Sequence, residues 1–189
     1  MFASTKKELL GLEIVPLNEP RILREVNKAS VLDVNFLDEA RAEWLVNHSF
    51  FPRLATLDGK VAGVIIVLSE TAGFDSDYYR WYVARYKNFV YIDRVVVAAW
   101  ARGLGVATEL YRHVEQMAEE KSFAIAAEVY SDPPNIPSLN FHRKLGYQEV
   151  GTQFCEAEGK TVCKFMKCVE RAETIGGGAI SESAHTPGR

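Results

Sequence analysis

The chain has 189 residues, 48 % of them hydrophobic and 25 % charged, with a formal net charge of −3. That length suits one well-packed domain whose core needs no disulfide staples. The charge balance argues against a nucleic-acid partner, which would need a basic face, and no apolar run reaches membrane-spanning length, so no membrane partner is expected.

Leu12 to Leu17 reads as a first strand, and Pro20 at a first-turn position opens a helix through about Lys28. Asp38 to His48 is a second helix, with Ala40, Trp44, Leu45 and His48 expected on one face. Arg53 to Leu57 and Lys60 to Leu68 flank Asp58-Gly59, a strong hairpin signal. Phe89 to Ala98 is almost continuously apolar, which suits a central strand covered on both faces. A helix is expected from about Gly103 to Glu120, with Leu104, Ala107, Tyr111, Val114 and Ala118 as its apolar stripe. Phe123 to Tyr130 is another buried strand. After Asp132-Pro133-Pro134 a short helix runs from about Ile136 to Leu145, and Gly146 is placed to end it. Tyr147 to Phe154 and Lys160 to Val169 then pair through Glu158-Gly159. The alternation predicts a mixed α/β sheet with helices on both faces.

Residues 1–11 read as an N-terminal extension, 12–170 as the domain, and the Gly-, Ser- and Pro-containing residues 171–189 as a disordered tail. Cys155, Cys163 and Cys168 match no zinc spacing, so no metal is expected. Their odd number predicts reduced thiols and a cytoplasmic protein. Met1 to Lys7 has no apolar run after its charges, so no secretory signal is expected.

The most informative segment is Arg102-Gly103-Leu104-Gly105-Val106-Ala107, where a buried strand enters a glycine turn that opens a helix. The first amides of a helix have no internal partners, and the macrodipole adds about half a positive charge there. Such a turn can hold phosphate oxygens, or the glycines can serve only to make the turn tight. A Walker loop would need Gly-Lys-Ser/Thr, which is absent. A dinucleotide fingerprint would need a small residue where Thr108 stands, and an earlier strand.

This segment resembles the coenzyme-A motif of the GNAT superfamily of N-acetyltransferases, Gln/Arg-x-x-Gly-x-Gly/Ala. A second family element is matched by Asn135, Ser138, Phe141, Gly146 and Tyr147, with His142 in place of the usual tyrosine. The resemblance implies a mixed, mainly antiparallel central sheet and acetyl-CoA as co-substrate. It places Val95, Val96 and Val97 against the acyl-pantetheine arm, and Arg102, Gly103, Leu104, Gly105, Val106 and Ala107 around the pyrophosphate. Asn135 would contact the cofactor arm, although an asparagine before a helix also serves as a cap.

An amine with a pKa of about 10.4 must lose a proton before it attacks a thioester, so a base is needed. Glu128, a carboxylate in the apolar run Ala124 to Val129, is the first candidate, because burial raises its pKa toward the useful range. Asp93 is the second, and with Arg94 it could equally form a structural ion pair. His142 stands where the family places the acid that protonates the leaving thiolate, or else is a packed core residue. Tyr78, Tyr79, Trp81 and Tyr82, in the long connection from Phe74 to Tyr86, form an acceptor wall, or else cover the core or form a homodimer interface. The expected function is acetyl transfer to a primary amine of a small molecule or peptide. The alternatives are a catalytically silent acyl-CoA-binding module and transfer of another acyl group.

Overall fold

All seven strand signals become strands, and they join a single sheet. The computed structural model describes residues 10–29 and 36–169. The elements are β1 (Leu12–Pro16), α1 (Pro20–Lys28), α2 (Glu39–His48), β2 (Arg53–Leu57), β3 (Lys60–Ser69), α3 (Asp77–Val83) and β4 (Phe89–Val97), followed by α4 (Val106–Lys121), β5 (Ala124–Asp132), α5 (Ile136–Lys144), β6 (Gln148–Cys155) and β7 (Lys160–Cys168). Across the sheet the order is β1-β2-β3-β4-β5-β7-β6. Only the β4–β5 pair is parallel among the described strands. The expected mixed, mainly antiparallel sheet is therefore the one observed. The expected tail, residues 171–189, and residues 1–9 of the expected extension lie outside the described residues.

Local chemistry explains most boundaries. The β2–β3 turn has positive φ at both Asp58 and Gly59, as a tight hairpin with native twist requires. Asp38 caps α2 by accepting a 2.7 Å hydrogen bond from the Arg41 amide. The buried face of α2 is Ala42, Leu45 and Val46, while Ala40 and His48 are exposed. The face expected from the sequence was thus rotated by part of a turn. The connection read as a long loop contains α3, whose first-turn Asp77 and Arg80 pair at 2.7 Å. A single 3-10 turn, Ala99–Ala101, also went unread between β4 and the glycine loop.

Helices cover both faces of the sheet, as expected. On one face α4 and α5 pack Val106, Leu110, Tyr111, Val114 and Leu139 against Ile65, Val67, Val90, Ile92 and Ile125. On the other, α1, α2 and α3 pack Leu23, Leu45, Tyr79 and Tyr82 against Val64, Ile66, Tyr91 and Ala126. Successive strand residues alternate between these two cores, as the pleat demands. In β4 the alternation slips once. Ile66 faces Arg94 and Val67 faces Ile92, so Asp93 is an extra, unpaired residue. The bulge turns Asp93 and Arg94 to the same side. That is why two neighbours in sequence can form an ion pair at 2.8 Å.

Candidate active site

β4 and β5 pair only where Phe89 to Tyr91 meet Ala124 to Ala126. Beyond that point they part, and a cleft of about 1020 Å³ is lined by Val95, Val96 and Val97 of β4 and by Glu128, Val129 and Tyr130 of β5. Arg102, Gly103, Gly105, Val106, Ala107 and Asn135 also line it. Residues far apart in the chain, chosen from sequence for one ligand, therefore share one cavity. Leu104 does not line it and is 44 % exposed on the outside of the loop.

The loop owes its shape to two left-handed residues, Gly103 at φ 76 and Gly105 at φ 91. No helix can pass through such residues, so α4 starts at Val106 rather than near Gly103. Its first internal bond runs from the Glu109 amide to the Gly105 carbonyl, ahead of which stand the amides of Val106, Ala107 and Thr108. No side chain caps this end. At Gly103 nothing lies within 4 Å of where a Cβ would stand, so backbone can meet a ligand directly. Open amides, a helix dipole and nearby Arg102 form a cradle that fits a pyrophosphate. The helix end is held close to the sheet by Gly63 of β3. A Cβ there would sit 2.8 Å from the Val96 carbonyl and 3.2 Å from Val106 Cγ1.

Glu128 lies on the cleft wall with its side chain 12 % exposed. Tyr91 Oη donates to its Oε1 at 2.5 Å, while Oε2 is buried without a hydrogen-bond partner. Burial pushes Glu128 up to about 7, opposed by the Lys164 ammonium and the Tyr91 hydrogen bond. Asp93 lines the same cleft, but its carboxylate is held by Arg94, which also donates to Asn27 Oδ1 of α1 at 2.8 Å. Asn135 uses its Oδ1 to cap α5, accepting from the Ser138 amide at 3.2 Å.

Besides Leu104, four expected site residues are placed elsewhere. His142 is buried in the core behind α5, with Nε2 2.9 Å from Tyr111 Oη, Nδ1 2.8 Å from the Ser138 carbonyl and its ring stacked on Phe165. It does not line the cleft, and burial lowers its pKa. Of the four aromatics of the α3 segment, only Tyr78 reaches the cleft. Tyr79 donates to the Ser69 carbonyl at 2.9 Å, and Tyr82 donates to the Ala127 carbonyl and accepts from the Phe165 amide. Trp81 lies under the Arg85 guanidinium, 4.3 Å from the ring centre. Tyr79 and Tyr82 build the core and Trp81 packs at its edge, because α3 is a helix and a helix cannot aim all its rings at one cavity.

Other groups at the cleft went unread. Tyr130 Oη donates to Glu158 Oε2 at 2.7 Å, tying the β6–β7 turn to the end of β5. Lys164 stands beneath Glu128, fully buried, with Nζ 3.8 Å from Oε2. Its signal was present in Val162-Cys163-Lys164-Phe165-Met166, where one cation interrupts an apolar strand.

A parted sheet thus has uncapped helix amides at its gap and a buried carboxylate beside them. The Acetyltransferase (GNAT) family model matches residues 21–147, well over half of the sequence, and the chain belongs to that family, with acetyl-CoA as its acyl donor. Its fold is similar to that of the ribosomal-protein-S18-alanine N-acetyltransferase of Escherichia coli, at 13% identity over 87% of this chain and 97% of that one, with a TM-score of 0.64. It is also similar to Ard1 of Thermoplasma volcanium, at 15% identity over 84% and 98% of the two chains, with a TM-score of 0.66. Naa50 of Arabidopsis thaliana, solved with a bisubstrate analogue, gives 18% identity, 83% and 98% coverage and a TM-score of 0.63. These likenesses are of fold. No curated protein matches the sequence significantly. No helix among the described residues is long and apolar enough to cross a membrane.

Proposed function

We propose that this acetyltransferase acetylates a primary amine, on a small molecule or on a peptide or protein, by direct attack on the thioester with Glu128 as general base. The observation that carries the reading is Glu128 Oε2, a buried, unpartnered carboxylate oxygen on the cleft wall. A base whose pKa sits near the working pH is both ionised often enough and basic enough to be useful. In this reading the cradle from Arg102 to Ala107 holds the pyrophosphate. The backbone of Val95, Val96 and Val97, on the side of β4 turned from β3, receives the acyl-pantetheine arm. An amide there would stabilise the developing oxyanion. Asn135 Nδ2 remains for the cofactor arm, since Oδ1 is spent on the cap. With His142 in the core, the proton for the leaving thiolate comes from solvent in the open cleft. Tyr78 and Asp93 belong to the acceptor side. A cytoplasmic location fits the free thiols of Cys155, Cys163 and Cys168.

Thiol release from acetyl-CoA across a panel of amines, amino acids and peptides tests this. Glu128→Gln is expected to keep acetyl-CoA affinity and lower kcat by about a hundred- to ten-thousand-fold. Tight acetyl-CoA binding without thiol release for any acceptor would instead identify a silent binding module. Unchanged acetyl-CoA binding in Gly105→Trp would overturn the placement of the donor.

A further inference from the structure

Lys164 is one of the largest fully buried side chains among the described residues. It stands in the middle of β7, directly across the ladder from Glu128 of β5. Its Nζ donates to the Tyr78 carbonyl at 3.1 Å, and the rings of Tyr78, Tyr82 and Trp81 surround it at 4.7, 4.9 and 5.5 Å. An ammonium in such a place is strongly disfavoured unless a counter-charge offsets it. A methionine would fill the same slot without that cost, so packing gives no reason for the charge. The counter-charge is Glu128 Oε2, at 3.8 Å. That separation is an ion pair but too long for a hydrogen bond, so Oε2 keeps its lone pairs for another donor.

We propose that Lys164 is a positioning residue for acetyl transfer: it holds the Glu128 carboxylate ionised and aimed into the cleft, and ties α3, the wall carrying Tyr78, to that base. The proposal rests on the reading of Glu128 as the general base. The charges and hydroxyls that act on Glu128 besides Lys164 are Tyr91 and Asp93 of β4, Tyr82 of α3 and Glu158 of the β6–β7 turn, with Tyr111 of α4 acting from the other side of the sheet. Asp93 and Glu158 favour its neutral form, and Lys164 supplies the opposing positive charge. Lys164 is itself faced by Arg85 beyond α3 and Cys155 of β6. Burial drives Glu128 up and Lys164 down, and each draws the other back toward its charged form.

The test is the pH profile of kcat/KM for Lys164→Met, which keeps the bulk and removes the charge. Its acid limb is expected to move up by about one pH unit or more, with acetyl-CoA affinity unchanged and much of kcat recovered at alkaline pH. Lys164→Arg is expected to keep the limb near its original position. A limb that stays in place in Lys164→Met, while Glu128→Gln is inactive, overturns this proposal alone. An active Glu128→Gln overturns the base assignment beneath it. If Lys164→Met does not fold, the titration of Lys164 Nζ by ¹⁵N NMR decides. It is expected to move to lower pH in Glu128→Gln, and an unmoved titration overturns the coupling.

Discussion

Burial moves Glu128 and His142 in opposite senses, because it penalises whichever form carries charge. In the proposed mechanism the charged form of Glu128 is the working base, so the rate should fall as pH drops below about 7. A kcat/KM profile whose acid limb follows an ordinary carboxylate near 4.5 would contradict this. His142, buried away from the cleft, is expected to act on stability. Its folded pKa lies below the unfolded value, so the neutral ring stabilises the fold above about 6.5, and that contribution is lost as pH falls through 6.5 toward the folded value. His142→Ala strands Tyr111 Oη and opens a cavity. A loss of about 1–3 kcal/mol from the hydrogen bond alone, with more from the cavity, should appear as a lower Tm and a flatter pH dependence of Tm. Glu128 was legible because a carboxylate in an apolar strand must find either a partner or a function. Lys164 breaks its strand in the same way, yet a lysine stem can snorkel to a surface, so its position alone does not mark it as buried. The difference between Tyr78 and its neighbours was not legible at all. It depends on which side of a seven-residue helix meets the sheet.

The elements around the cleft depend on close approach. Gly63 lets α4 lie against β3 and β4, and so sets where the amides of Val106, Ala107 and Thr108 stand relative to the gap. Gly63→Ala should push the helix end outward, costing about 1–3 kcal/mol of stability from overpacking. It should also weaken acetyl-CoA binding severalfold. Calorimetric titration together with thermal melts would show both effects, and unchanged binding would mean that α4 is positioned by something else. Elements bounded by capping or turn chemistry were read closely, as with Pro20 at the start of α1 and Asp58-Gly59 in the hairpin. The start of α4 was misplaced by three residues, because periodicity runs on through Leu104 while the left-handed glycines stop the backbone. The face of α2 was misplaced because Trp44 and His48, four apart and stacked, imitate a buried stripe at its edge.

At the scale of the molecule, β7 lies inside the sheet between β5 and β6. The family match ends at residue 147, yet Cys163, Phe165 and Met166 beyond it contribute to both cores. A chain ending after Tyr147 is therefore expected to lack cooperative unfolding, and a sharp calorimetric transition from it would contradict this. The strands were legible one by one, but their order was not. The parallel β4–β5 contact and the placing of β7 before β6 are settled by long-range burial, which leaves no mark in a short window of sequence. The bulge at Asp93 acts on this larger scale. Before it, the odd-numbered residues of β4 face α3; after it, the even-numbered ones face that side. It works as a phase shifter, letting one strand serve two environments with a single apolar pattern. Deleting one residue there would leave the composition of β4 nearly unchanged while exchanging the faces of Arg94 through Val97. The cleft wall would then turn into the core, and the Asn27 contact would be lost, so this strand tolerates changes of side chain far better than a change of length.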